Sequence, residues 1–375
     1  SGTSRAPQAS MTATTTTTKL GPDQAFLRNL LRRLAELEST DAPILSLYID
    51  TRPEAHGERP GERNELTIVR DRLNELADRL ELRSDAAASF EADRRRIEEL
   101  LDTEEINETD GVAIFACSHI GLWEAIGAQT EFDTQITAGP TAELFQLARL
   151  LDDQVSAVIA VVDTSTCRLF VTRRGGLAER EGLDEPTAEH TRHDQGGWSQ
   201  ARFQRHIDMQ DKRFAKEIAE AIERLVRREK PQHVLLAGDE RVISVLDPEL
   251  PQSVRPLVEH VARIDMRATS EDVRDEIRPM LGALEEADGQ DAVQRALAGH
   301  RAHDLGVAGV NAVMAALEAG QVDELVIDET IEGDEELRAE LIRQAARTDA
   351  HVEIVRDHPE LRRHDGVAAT LRYRI

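Results

Sequence analysis

Apolar residues recur along this chain with two different periods, and the switches between them lay out its elements. Phe26, Leu27, Leu30, Leu31, Leu34 and Leu37 repeat at three and four residues, which predicts an amphipathic helix over 23–38. Pro43 ends that stretch, and Ile44–Ile49 alternates like a strand. Thr51–Asn64 carries Pro53, Gly57, Pro60 and Gly61, the composition of an exposed loop. Helical spacing returns at 65–82 and 86–102. Val112–Cys117 and Leu122–Ile126 then flank His119–Gly121, which predicts a hairpin. Residues 21–150 therefore form an N-terminal α+β domain.

A second set of elements opens with the apolar run Val155–Asp163, followed by Cys167–Arg173 across a turn at Asp163–Thr166. Gly175–Gly176 makes another tight turn, because glycine reaches positive φ at little cost. Leu177–Glu181 returns as a short strand. The polar stretch Asp184–Gly197 has no apolar period. After it, Phe203, Ile207, Phe214, Ile218, Ile222 and Leu225 mark one face of a long helix from Ser199 to Glu229, roughly 45 Å at 1.5 Å per residue, which Pro231 stops. Strands are expected at Val234–Ala237 and Val261–Met266. This gives a central sheet domain over 151–268.

Thr269-Ser-Glu-Asp272 has a hydroxyl cap and acids in the first turn, so a helix starts there. Helices at 271–286, 290–298, 307–319 and 335–348 alternate with strands at Glu324–Ile327, His351–Val355 and Val367–Leu371. That alternation favours a C-terminal α-β-α sandwich over 269–375. The fold class is thus α/β in the mixed α+β sense, in three domains. Ser1–Ser10 reads as a cloning remnant before Met11, and with the threonine run Thr14–Thr18 it makes residues 1–20 a tag remnant and disordered tail.

Composition narrows the function classes. No stretch approaches the ~18 to 20 uncharged apolar residues of a membrane helix, so no membrane partner is expected. Two cysteines, Cys117 and Cys167, stand alone in apolar runs and build neither a disulfide framework nor a metal knuckle, as suits a cytoplasmic chain. The net charge is -26, from 46 basic and 72 acidic residues, which argues against general nucleic-acid binding and against DNA. Such acidity also fits plain solubility or a salty cytoplasm.

Positive charge is nevertheless concentrated in one place. Arg192 to Lys216 holds six Lys or Arg (192, 202, 205, 212, 213, 216) against three Asp (194, 208, 211), a local balance of +3. Lys212, Lys216 and Lys230 are three of only four lysines in the chain. The segment begins Gln195-Gly196-Gly197-Trp198-Ser199, and two glycines let backbone approach a partner closely. They stand at a helix start, where unpaired N–H groups favour anionic oxygens. Arg202, Arg205 and His206 lie off the Phe203/Ile207 stripe and are placed to meet phosphate. A glycine turn before a solvated amphipathic helix is the plainer account of the same residues. His190, His193 and His206 lack the companions of a metal site and read as a loop cluster facing RNA or solvent. No P-loop accompanies Arg174-Gly-Gly or Ala237-Gly-Asp, and no metal or cofactor is expected.

Gly196, Gly197, Ser199, Arg202, Phe203 and Arg205 match, position by position, the pattern Gly-Gly-x-Ser-x-x-Arg-Phe-x-Arg. It resembles the signature in the middle domain of archaeal and eukaryotic class I release factors and Pelota, where a Gly-Gly-Gln loop opens a long helix after a hairpin. Val307–Asp328 and the ending Asp365–Tyr373 resemble that family's C-terminal domain. The family's third motif position is glutamine, which helps place water at the peptidyl-tRNA ester; here it is Trp198. An indole donates one hydrogen bond and stacks on a base but offers no amide carbonyl. Gln195 and Gln200 are not in register to replace it. The stop-codon loop of the family, Asn-Ile-Lys-Ser, has only Asn64-Glu65-Leu66-Thr67 as its nearest counterpart.

The resemblance therefore implies a factor that occupies the ribosomal A site without reading a codon, similar to Pelota-like rescue factors and Balon-like hibernation factors. It implies ribosomal RNA as partner, with a translational GTPase such as elongation factor Tu as a second candidate. The implied contact residues are Gly196, Gly197, Trp198, Ser199, Arg202, Arg205, His206, Lys212 and Arg213, with His193 and Gln195 as accessories. Two other functions stay open: a peptidyl-tRNA hydrolase acting despite Trp198, and a stress-related RNA-binding adaptor that kept only the fold.

Overall fold

The computed structural model describes residues 19–20, 24–52, 65–80, 82–103, 109–152, 155–173, 176–184, 199–261, 264–331 and 335–373, with backbone alone described for 199–211. The chain divides into two compact units, residues 1–150 with 334–350 and residues 151–333 with 351–375.

The first unit is built on a five-stranded sheet. In chain order its elements are β1 (Lys19–Leu20), α1 (Gln24–Glu36), β2 (Ile44–Asp50), α2 (Glu65–Leu80), α3 (Ser84–Leu101), β3 (Gly111–Cys117), β4 (Leu122–Ala128), β5 (Gln135–Gly139) and the first turns of α4 (Phe145–Asp152). The strand order is β1-β4-β3-β2-β5, antiparallel except for β1 on β4. Lys19 and Leu20, assigned to the tail on sequence grounds, thus pair with Ile126 and Gly127. The alternation in Ile44–Ile49 suggests one buried face, yet every residue of β2 is buried. Leu45, Leu47 and Ile49 pack under Val69 and Leu73 of α2 and Phe90 and Ile97 of α3. On the opposite face Tyr48 meets Phe115 edge-on at 5.8 Å and donates its hydroxyl to the Glu143 carbonyl at 2.8 Å.

The helix predicted over 335–348 forms as α9 (Glu335–Arg347). It connects two strands of the last sheet, yet it is compact with the first unit, where it packs on α1 and sets the Arg338 guanidinium 3.8 Å from the Phe145 ring.

The second unit contains two sheets. One has β6 (Ala157–Val162), β7 (Thr166–Arg173), β8 (Gly176–Asp184), β9 (His233–Gly238) and β10 (Val258–His260), in the order β10-β9-β6-β7-β8. Its helices are α5 (Ser199–Glu229), α6 (Glu240–Leu246) and the first part of α7 (Ser270–Arg301). β6 and β9 pair in parallel and are apolar almost without interruption, as strands covered on both faces must be. The other sheet has β11 (Gly306–Ala308), β12 (Val322–Asp328), β13 (His351–Val355) and β14 (Val367–Leu371), in the order β11-β14-β12-β13, accompanied by α8 (Val310–Glu318) and the short α10 (Pro359–Arg362).

Two expectations change here. The helices predicted at 271–286 and 290–298 are one 32-residue helix, α7. Gly289, in the gap between the two predicted helices, is a close-approach residue: a Cβ there would lie 2.9 Å from Val355 Cγ1 and 3.2 Å from Glu353 Oε1. The helix serves two cores, with Val273 and Ile277 under the first sheet and Ala292, Val293, Ala296 and Leu297 under the second. Its start is as read, with Thr269 and Asp272 forming a reciprocal capping box. Of the strand expected at Val261–Met266, the described residues Val261, Ile264, Asp265 and Met266 are in no strand. The carbonyls of Met266 and Ala268 instead accept from the Arg168 guanidinium at 3.1 and 2.6 Å, while Ile264 joins the core beside Val273 and Ile277.

Candidate functional site

The segment carrying the candidate chemistry sits between β8 and α5. β7 and β8 form the expected hairpin, antiparallel from Thr166↔Asp184 to Arg173↔Gly176. β8 is an edge strand of its sheet, and the chain is described to the end of that strand at Asp184. It re-enters the described structure at Ser199, the first residue of α5, and the helix runs 31 residues without a break. The ends predicted from sequence, Ser199 and Glu229, are the ends observed. Lys230 lies one residue beyond the helix at φ 50 and donates its N–H to the Val226 carbonyl, closing the last turn before Pro231.

Packing divides α5. Phe214, Ala215, Ile218, Ala219, Ala221, Ile222 and Leu225 are buried against Val158, Ala160 and Val162 of β6 and Leu169 and Val171 of β7. The other face of the same sheet, with Ile159, Val161 and Leu235, is covered by α7. From Phe214 to Leu225 the helix rises about 17 Å, close to the ~20 Å that a six-residue strand spans. From Ser199 to Phe214 it rises about 22 Å more, a length the strands beneath cannot match. α5 is therefore longer than packing on its own sheet requires.

Charges divide along the same line. In the packed part the arginines are paired: Arg224 with Glu181 of β8 at 3.1 Å, Arg227 with Glu223 at 2.6 Å and Arg228 with Glu229 at 2.9 Å. At the junction Arg213 is exposed and reaches Glu217 at 3.2 Å, one turn on. Lys212 and Lys216 are exposed and make no ion pair among the described residues. Ser199, Arg202, Arg205 and His206 lie in the backbone of the first two turns; their side chains fall outside the described residues. His193, Gln195, Gly196, Gly197 and Trp198 lie outside them altogether.

The two cysteines are buried, and burial pushes the Cys167 thiol far up. Gly238, the second of the glycine features weighed as a phosphate loop, has a steric role. It takes φ 121, and a Cβ there would lie 1.9 Å from the Val162 carbonyl oxygen. Asp239 after it caps α6 by accepting the Arg241 N–H. No helix among the described residues is long and apolar enough to cross a membrane.

A hairpin, an edge strand, a glycine-pair motif and a long helix follow one another in this central part of the chain. Residues 143–281 match the model of a family described as bacterial archaeo-eukaryotic release factor family 10. That match includes β6 to β10, the motif and all of α5.

Among solved structures the chain is similar to an archaeal translation termination factor, aRF1, at 18% identity over 94% of this chain and 99% of that one, with a TM-score of 0.27. It is similar to ribosome-bound archaeal Pelota, solved with ABCE1, at 17% identity over 68% and 72%, TM-score 0.43. It is also similar to Dom34 of S. cerevisiae, a termination-like factor that interacts with Hbs1, at 11% identity over 71% and 80%, TM-score 0.42. None of the three superposes closely over its full length. No curated protein sequence matches the chain.

Proposed function

We propose that this protein is a ribosome-binding translation factor that occupies the A site without reading a stop codon, in hibernation or in the rescue of stalled ribosomes. The observation that carries the proposal is the Gly196–Arg205 motif in register with the head of α5, inside the segment that the family model matches. A helix start with two glycines before it offers backbone N–H groups to phosphate or base oxygens at close range. Arg202, Arg205, His206, Lys212 and Arg213 add cationic side chains along the next turns, in a chain whose net charge is -26. Such contrast orients a protein on RNA: the acidic remainder is repelled, and only the basic end approaches.

Trp198 stands at the position of the family's glutamine, so binding is proposed without hydrolysis of peptidyl-tRNA. Its indole is suited to stacking on an exposed base, a contact worth about 1–3 kcal/mol in nucleic-acid complexes. Elongation factor Tu is the GTPase to test as a delivery partner, and the proposed location is the cytoplasm.

Sucrose-gradient sedimentation with 70S ribosomes tests the proposal directly. Co-migration that falls steeply with salt is expected; a protein that stays at the top of the gradient at every salt concentration defeats it. A peptidyl-tRNA release assay should show no activity above background, and Trp198→Gln is the control variant.

A further inference from the structure

The far edge of the last sheet gathers three side chains with metal-ligand chemistry, all within the second unit. β13 is an edge strand, paired only with β12. His351 and Glu353 are two residues apart on it and so share one face. Asp152, at the end of α4, reaches the same edge, where its Oδ2 accepts the Ile354 N–H at 2.7 Å. One ligand atom from each of the three lies within 4.8 Å of the others.

Glu353 supplies the second observation. Only 9% of it is exposed, yet its carboxylate accepts no hydrogen bond among the described residues. His351 Nε2 lies 3.7 Å from Oε2, beyond hydrogen-bond range. Oε1 is backed by Gly289 of α7. The three side chains turn ligand atoms toward one point, where a cation would meet all of them.

We propose that Asp152, His351 and Glu353 bind one divalent transition-metal ion, with Zn²⁺ as the fitting case. Two carboxylates and a neutral imidazole carry charge -2, and the imidazole selects zinc-like ions over magnesium or calcium. Bonds of about 2.0–2.2 Å in a tetrahedron set ligand atoms roughly 3.3–3.5 Å apart, which side-chain shifts of about 1 Å achieve here. Three protein ligands leave one position for water. Because Asp152 is remote in sequence from His351, the ion closes a very long loop and ties the end of α4 to β13.

The test uses the full chain, stripped with EDTA and returned to chelator-free buffer, titrated calorimetrically with ZnCl₂. One equivalent should bind and raise the thermal midpoint, and Co²⁺ in its place should give the visible absorption bands of a tetrahedral site. His351→Ala and Glu353→Gln should each weaken Zn²⁺ binding at least tenfold, with unchanged circular dichroism in the metal-free state. Absence of stoichiometric uptake by the wild-type chain overturns the proposal. So does binding of equal strength in both variants, which would put the ion on other histidines of the twelve in the chain.

Discussion

The two halves of α5 are continuous in backbone and differ in their balance of charge. Residues 214–229 carry four basic and four acidic side chains, bury a full apolar face and pair their arginines with glutamates. Residues 199–213 carry Arg202, Arg205, Lys212 and Arg213 against Asp208 and Asp211, a balance of +2, on a length of helix that the sheet is too short to cover. Packing alone explains the composition of the second half. It leaves the first half unexplained, and a helix that continues about four turns past its core has a use for them.

If the halves are separable, damage to one should leave the other's readout intact. The largest effect is expected from Phe214→Ala, which empties a buried site and should cost about 3–5 kcal/mol in urea unfolding. A loss below about 1 kcal/mol would mean that the core does not begin there. Next, Arg202→Glu combined with Arg205→Glu should weaken ribosome co-sedimentation at least tenfold, about 1.4 kcal/mol or more, while the thermal midpoint stays put. A large fall in the midpoint would make those arginines structural and merge the two halves.

Lys212→Ala with Lys216→Ala should reduce ribosome affinity only a few-fold. The slope of log affinity against log salt should become shallower by about 0.9 for each phosphate deprived of its lysine, and an unchanged slope removes the lysines from the interface. The smallest effect belongs to Arg227→Ala. Its partner Glu223 is on the same exposed helix surface, so the cost should stay below about 1 kcal/mol, with ribosome binding unaltered.

Much of the fold was legible because local signals and tertiary packing agree. The ends of α5, the capping box at Thr269 and the β3–β4 hairpin each follow from a short-range rule that nothing distant contradicts. Where distant packing decides, the sequence misleads. Gly289 falls in the gap between two predicted helices and is a point of close approach to β13. Val261–Met266 has a strand's apolar content, but Arg168 captures the carbonyls of Met266 and Ala268 at its end.

The site divides in the same way. The glycine pair and the basic cluster can be read because they are contiguous. The group at Asp152, His351 and Glu353 cannot, because its members meet only when β13 is laid at a sheet edge. No spacing rule links residues so distant in sequence.

The placement of α9 bears on how the molecule is made. This helix is synthesised between β12 and β13 but is compact with residues 1–150, where α1 is its neighbour. Growing from its amino end, the nascent chain completes its first sheet early and must hold the α1 surface open until residues 335–347 emerge. The amino-terminal unit is then finished only after most of the chain has been made, and cutting the gene after the central segment would leave α1 without its neighbour α9.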